Sequence, residues 1–91
     1  MTETQPTSTA ADVREILLAV ADELADGPYY RMINEAERLA LIFNEVTLLH
    51  GNGVAALNLD LAVREVAPPI EWELTRAEYS LILRRAAGGA Q

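Results

Sequence analysis

The chain has 91 residues, of which 51% are hydrophobic and 23% charged. That length and mix suit one small domain around one core, and they exclude a disordered polyelectrolyte. Cysteine and lysine are both absent, which excludes disulfides, thiolate metal sites, Schiff-base chemistry and a P-loop. Fourteen acidic residues face seven basic ones, a formal charge of −7, and this opposes non-specific binding to nucleic acid or anionic membranes.

The charge is uneven. Residues 1–45 carry nine acids and three arginines, and residues 46–91 carry five acids and four arginines, so a basic partner is steered toward the first half. The first nine residues are polar, without a basic or an apolar run. They read as a flexible arm preceding a domain over 10–88 and a short tail over 89–91, and they have the composition of neither a signal nor a transit peptide. No segment approaches the roughly 18–20 apolar residues of a membrane span. A cytoplasmic protein is expected, and arginine without lysine in an alanine-rich chain suggests a GC-rich genome, such as an actinomycete or one of its phages.

The first helix is predicted over Ala10–Ala25. Val13, Ile16, Leu17, Val20 and Leu24 fall on one stripe, Asp12 complements the amino-terminal dipole, and Asp26-Gly27-Pro28 ends the helix. A second helix is predicted over Met32–Leu49, with Ile33, Ala36, Ala40, Phe43 and Val46 on one face. Leu39, Ile42 and Leu49 widen that face, and Leu41 and Leu48 lie further round. So broad an apolar arc implies the centre of a bundle or an interface. His50-Gly51-Asn52-Gly53 stops the helix, with glycine at a left-handed cap position.

Val54–Ala67 has two readings. As a helix it gathers Ala55, Leu59, Ala62, Val63 and Val66, with Leu57 and Leu61 opposite. As a strand, Leu57, Leu59, Leu61 and Val63 alternate with Asn58, Asp60 and Ala62. Ala67-Pro68-Pro69 is a break. Beyond it, either one long helix starts at Pro69, or Ile70, Trp72 and Leu74 form a short strand and Thr75-Arg76-Ala77-Glu78 is a capping box. Both readings place a helix from Arg76 to about Ala87, terminated by Gly88-Gly89. The expected fold is all-α, a compact four-helix domain. The alternative is α+β, with two helices, a β-hairpin over 57–74 and a last helix.

Enzyme chemistry has little to stand on. The sole histidine, His50, has no nucleophile or orienting carboxylate placed by the sequence, and neither Ser8 nor Ser80 lies in a G-x-S-x-G setting. Ser80 also lacks the Asp-Ser-Leu setting of a carrier protein. Glu35, Glu37 and Glu45 occur without a Glu-x-x-His pair, and Glu35 and Glu37 cannot share a helical face. No catalytic residue, metal site or cofactor is expected.

In the hairpin reading, Leu59-Asp60, Arg64-Glu65-Val66 and Glu73-Leu74-Thr75 followed by Glu78 resemble part of a response-regulator winged-helix domain, over residues 57–83. The resemblance implies a leading sheet and first helix, with DNA binding through a later recognition helix and wing. The segment departs from a groove-reading pattern, being mainly leucine, alanine and valine where exposed arginine, asparagine or glutamine is needed. A small dimeric helix-turn-helix-type regulator using Arg64, Arg76, Arg84 or Arg85 is thus the alternative function, and a non-catalytic enzyme subunit is another.

The favoured expectation is a non-enzymatic interaction module that binds another protein or itself, as an adaptor, inhibitor, antitoxin-like partner or phage accessory component. Tyr29, Tyr30 and Trp72 are large amphipathic side chains at predicted element ends, a type enriched at interfaces. They are the expected anchors, and Asp22, Glu23 and Asp26 are the expected acidic steering residues.

Overall fold

The computed structural model describes residues 10–89; the polar arm expected over residues 1–9 lies outside the described residues, as do positions 90 and 91 of the tail. The order is α1 (Ala10–Asp26), β1 (Met32–Ile33), α2 (Glu35–His50), α3 (Val54–Val66), β2 (Leu74–Thr75) and α4 (Arg76–Gly89). This is the small, mostly helical domain expected, with one minimal ribbon added. No helix among the described residues is long and apolar enough to cross a membrane.

The stripe on α1 forms as the spacing requires. Val13, Ile16, Leu17, Val20, Ala21 and Leu24 are all buried. α1 touches all three other helices and packs most extensively on α4, where Tyr79, Leu83 and Ala87 are buried. Ser80 lies in the same contact and donates its hydroxyl to the Ala21 carbonyl at 2.9 Å. The centre of the bundle is therefore α1, and α2 and α3 are left partly uncovered.

α2 starts three residues later than its periodicity suggests. Met32-Ile33 pairs antiparallel with Leu74-Thr75, in the register Met32 to Thr75 and Ile33 to Leu74. Asn34 then caps α2. Its side chain accepts from the Glu37 N–H at 2.8 Å, and Glu37 accepts from the Asn34 N–H at 3.2 Å. Thr75 and Glu78 repeat this exchange at the start of α4, at 3.1 and 2.8 Å. Each strand thus runs directly into a capped helix. The buried face of α2 is Arg38, Ile42 and Val46, whereas Ala36, Ala40 and Phe43 are exposed. The expected face is rotated because Arg38, which hydropathy places outside, is buried beside Ile42 and Val46.

Residues 54–66 are helical, which rules out the hairpin over 57–74 and with it the leading sheet of the winged-helix resemblance. The buried side chains of α3 are Ala56, Leu59, Asp60 and Val63, while Ala55 and Val66 are exposed. Burial of Asp60 is made possible by Arg64 one turn on, at 2.9 Å. The long helix from Pro69 is likewise absent, since residues 67–73 are irregular. Gly88-Gly89 does not stop α4, which runs through both glycines.

At the end of α2, Gly51 donates its N–H to the Thr47 carbonyl at 3.0 Å. Its φ of 79° and ψ of −156° lie outside the left-handed helical cap expected there, in a region essentially restricted to glycine.

Candidate functional site

Two features stand out: a groove beside the ribbon and an apolar surface on the α2–α3 hairpin. The groove encloses about 370 Å³ between Met32–Glu35 on one side and Ile70–Glu73 on the other. Ile33 is buried and Ile70 half-buried, whereas Trp72 is 63% exposed and Met32 49% exposed. Glu35, Glu71 and Glu73 supply carboxylates along this lining.

Polar contacts from three helices position the groove wall. Arg38 donates from Nε to the Pro68 carbonyl at 3.2 Å and from Nη2 to the Arg64 carbonyl at 3.3 Å. The Tyr79 hydroxyl donates to the same Pro68 oxygen. Glu35 accepts the Ile70 N–H at 2.9 Å and lies 3.4 Å from Arg38 Nε. Arg38 therefore satisfies a carbonyl in the last turn of α3 and fastens the segment that follows it. Burial pushes the Tyr79 phenol up to about 12, with Glu35 adding to the rise and Arg38 opposing it.

The expected interface residues do not form one patch. Tyr29 and Tyr30 pack edge to face, with ring centroids 5.9 Å apart, and both are exposed. The turn that bears them is tied to the start of α4, where the Ala77 and Arg76 N–H groups donate to the Tyr29 and Arg31 carbonyls at 2.9 and 2.8 Å. Tyr30 precedes Met32 by two positions, and Trp72 precedes Leu74 by two. In an antiparallel pair this sets them at opposite ends of the ribbon.

The three acids also diverge. Asp22 pairs with Arg84 of α4 at 2.7 Å. Glu23 acts on Glu45 of α2, whose pKa is raised by partial burial and, second, by the Glu23 charge. Asp26 is exposed at the last position of α1.

The hairpin surface was only partly visible in the sequence. Seven of the twelve exposed large apolar side chains among the described residues belong to α2 and α3. On α3, Val54, Leu57 and Leu61 recur at helical spacing on the side opposite the buried residues. Phe43, Leu48 and Leu49 are the exposed members on α2.

His50, at the end of α2, meets Glu15 of α1 at 3.0 Å. Asp12 stands one turn before Glu15, and one donor atom from each of the three lies within 4.8 Å of the others. The histidine–glutamate contact accounts for this approach between α1 and α2, and His50 and Glu15 are both exposed. No linear spacing announces it, because 35 positions separate the two residues. Glu35 and Glu37 go separate ways, the first to Ile70 and Arg38, the second to Asn34 and Arg76.

No protein-family model, no curated protein and no solved structure matches the chain.

Proposed function

We propose that this chain is a non-enzymatic interaction module that docks on another protein through the α2–α3 hairpin. The observation that carries the reading is the exposed stripe Val54, Leu57 and Leu61, with Phe43, Leu48 and Leu49 on the neighbouring helix. Exposed apolar side chains recurring along one side of a helix, as Val54, Leu57 and Leu61 do on α3, suit a partner helix or an apolar groove. The net charge of −7 favours a different protein with a basic rim over a second copy, which would bring the same charge.

Among the side chains suited to catalysis, Ser80 supports this reading, since it is buried and its hydroxyl is bonded to the Ala21 carbonyl. DNA binding has less support: Arg64, Arg76 and Arg84 are paired with Asp60, Glu37 and Asp22, and the outer side of α3 carries Leu57, Asn58, Leu61 and Glu65. A reducing, cytoplasmic setting belongs to the same proposal and is supported by the lack of cysteine. Adaptor, inhibitor and accessory-subunit roles all use such a surface.

The test compares the protein with a Leu57→Glu/Leu61→Glu variant and with Leu81→Glu, which alters an exposed leucine on α4. All three are expected to fold and to be monomeric by light scattering. A partner crosslinked stoichiometrically to the parent and to Leu81→Glu, and lost from the double variant, supports the hairpin as the docking face. Equal crosslinking of all three, or a homodimer dissolved by the double variant, overturns the reading.

A further inference from the structure

We infer a second docking site, separate from the hairpin: the groove beside the ribbon binds a short segment of a partner protein in which an aliphatic side chain lies within two residues of an arginine or lysine. The shape of the site argues for one or two side chains, since about 370 Å³ lies at the low end for a ligand site. Its walls argue for an aliphatic group, because Ile33, Ile70, Met32 and Trp72 present hydrocarbon and an aromatic face.

Its charge argues for a cation. Glu35, Glu71 and Glu73 line the groove and no basic residue does. Glu35 is engaged by Ile70 and Arg38. Glu71 and Glu73 are exposed and make no hydrogen bond or ion pair with the described residues. An arginine or lysine stem lying along Trp72 places its charged head beside these two carboxylates and its alkyl chain on hydrocarbon. An acidic segment meets repulsion at the same place.

The site is also held in readiness. One end of its wall is fastened, at Pro68 by Arg38 and Tyr79 and at Ile70 by Glu35, which lessens the ordering that accompanies binding.

Trp72 is the only tryptophan, so its fluorescence reports on the groove directly. The experiment selects binders from a displayed random dodecapeptide library and titrates the selected peptides into the protein, Glu71→Gln/Glu73→Gln and Leu57→Glu/Leu61→Glu. Selected peptides should pair an aliphatic with a basic residue and shift the Trp72 emission. Loss of both rim charges should weaken them by about tenfold, and raising the salt should weaken the parent complex in the same direction. The hairpin variant should bind as the parent does.

Selection of uncharged apolar or acidic peptides, or equal affinity for Glu71→Gln/Glu73→Gln, overturns the inference. So does a library without any peptide that perturbs Trp72. Equal loss in the hairpin variant also overturns it, by placing the peptide on the other face.

Discussion

Arg38 and Tyr79, which stand on different helices, donate to one and the same carbonyl oxygen, that of Pro68. A carbonyl has two lone pairs, so either donor alone keeps it satisfied. Tyr79→Phe is expected to lower stability by about 1–2 kcal/mol, and Arg38→Met by about 2–4 kcal/mol because the Arg64 carbonyl loses its donor as well. The double variant should lose about 1 kcal/mol more than the two single losses together, since only then is the Pro68 oxygen left without either donor. Urea unfolding of the four proteins checks this, and strict additivity would show that the two donors act independently.

The same tyrosine gives an alkaline signature. Burial holds its pKa at about 12 in the folded chain, against an ordinary value near 10. The folded state therefore keeps the proton over a range in which the unfolded state has released it. Its contribution is complete below pH 10 and is lost as the pH rises through 12, about 2–3 kcal/mol in all. Stability measured across that range should fall with this slope in the parent and lose this component in Tyr79→Phe. In an absorbance titration, the tyrosinate step that Tyr79→Phe removes should lie near pH 12.

Glu45 follows the same sign at lower pH. Partial burial and the facing Glu23 raise its pKa, so its favourable contribution is present below the ordinary carboxylate range and is lost as the pH rises through the raised value. At pH 7 the carboxylate opposes the packing of α2 on α1. Glu45→Gln should raise the melting temperature at pH 7, and that gain should vanish once the medium is acidic enough to protonate the parent. A gain of equal size at both pH values would assign the effect to packing and not to charge.

Gly51 and Gly53 flank the same short connection and differ in what they require. A β-carbon at either meets no atom within 4 Å, yet Gly51 has a φ of 79°, whereas Gly53 sits at −81°. Gly51→Ala should cost about 1–3 kcal/mol through backbone strain alone. Gly53→Ala should change stability little, because any residue adopts that conformation. Thermal unfolding of the two variants separates backbone strain from crowding.

α1 and the Thr75 capping box were legible in the sequence because both depend on neighbours a few positions away. So was the break at Pro68, where the ring removes a donor and restricts Ala67. The start of α2 was less legible, although Asn34 and Glu37 carry the same capping chemistry as Thr75 and Glu78. An apolar Met32-Ile33 ahead of them extends the helical pattern by chance, and its strand partner lies some forty positions on. The faces of α2 and α3 were misjudged for one reason. Arg38 and Asp60 are inside because carbonyls and an arginine meet them there, and hydropathy assigns both to solvent. Leu57 and Leu61 stand opposite the α3 face in the helical reading and share it with Leu59 and Val63 in the strand reading, and only the packed structure leaves them exposed among the described residues. Trp72 is marked in the sequence by its side-chain type and its place at a predicted element end. The groove around it exists only through contacts with residues 32–35, which no linear spacing reveals.

The pairing of α1 with α4 also bears on how the chain is made. The Ser80–Ala21 bond joins positions 59 apart, and α1 leaves the ribosome long before the helix it packs on most. At roughly 5–20 residues per second, Ile16, Leu17, Val20 and Leu24 wait about 3–12 s for α4 to be synthesised. During that interval a nascent chain carries its most apolar stripe uncovered, and a codon change that slows translation between Gly51 and Arg76 lengthens the exposure without altering a single residue. Expression yield and chaperone dependence should therefore respond to silent substitutions in that stretch more than to those downstream of Ala87.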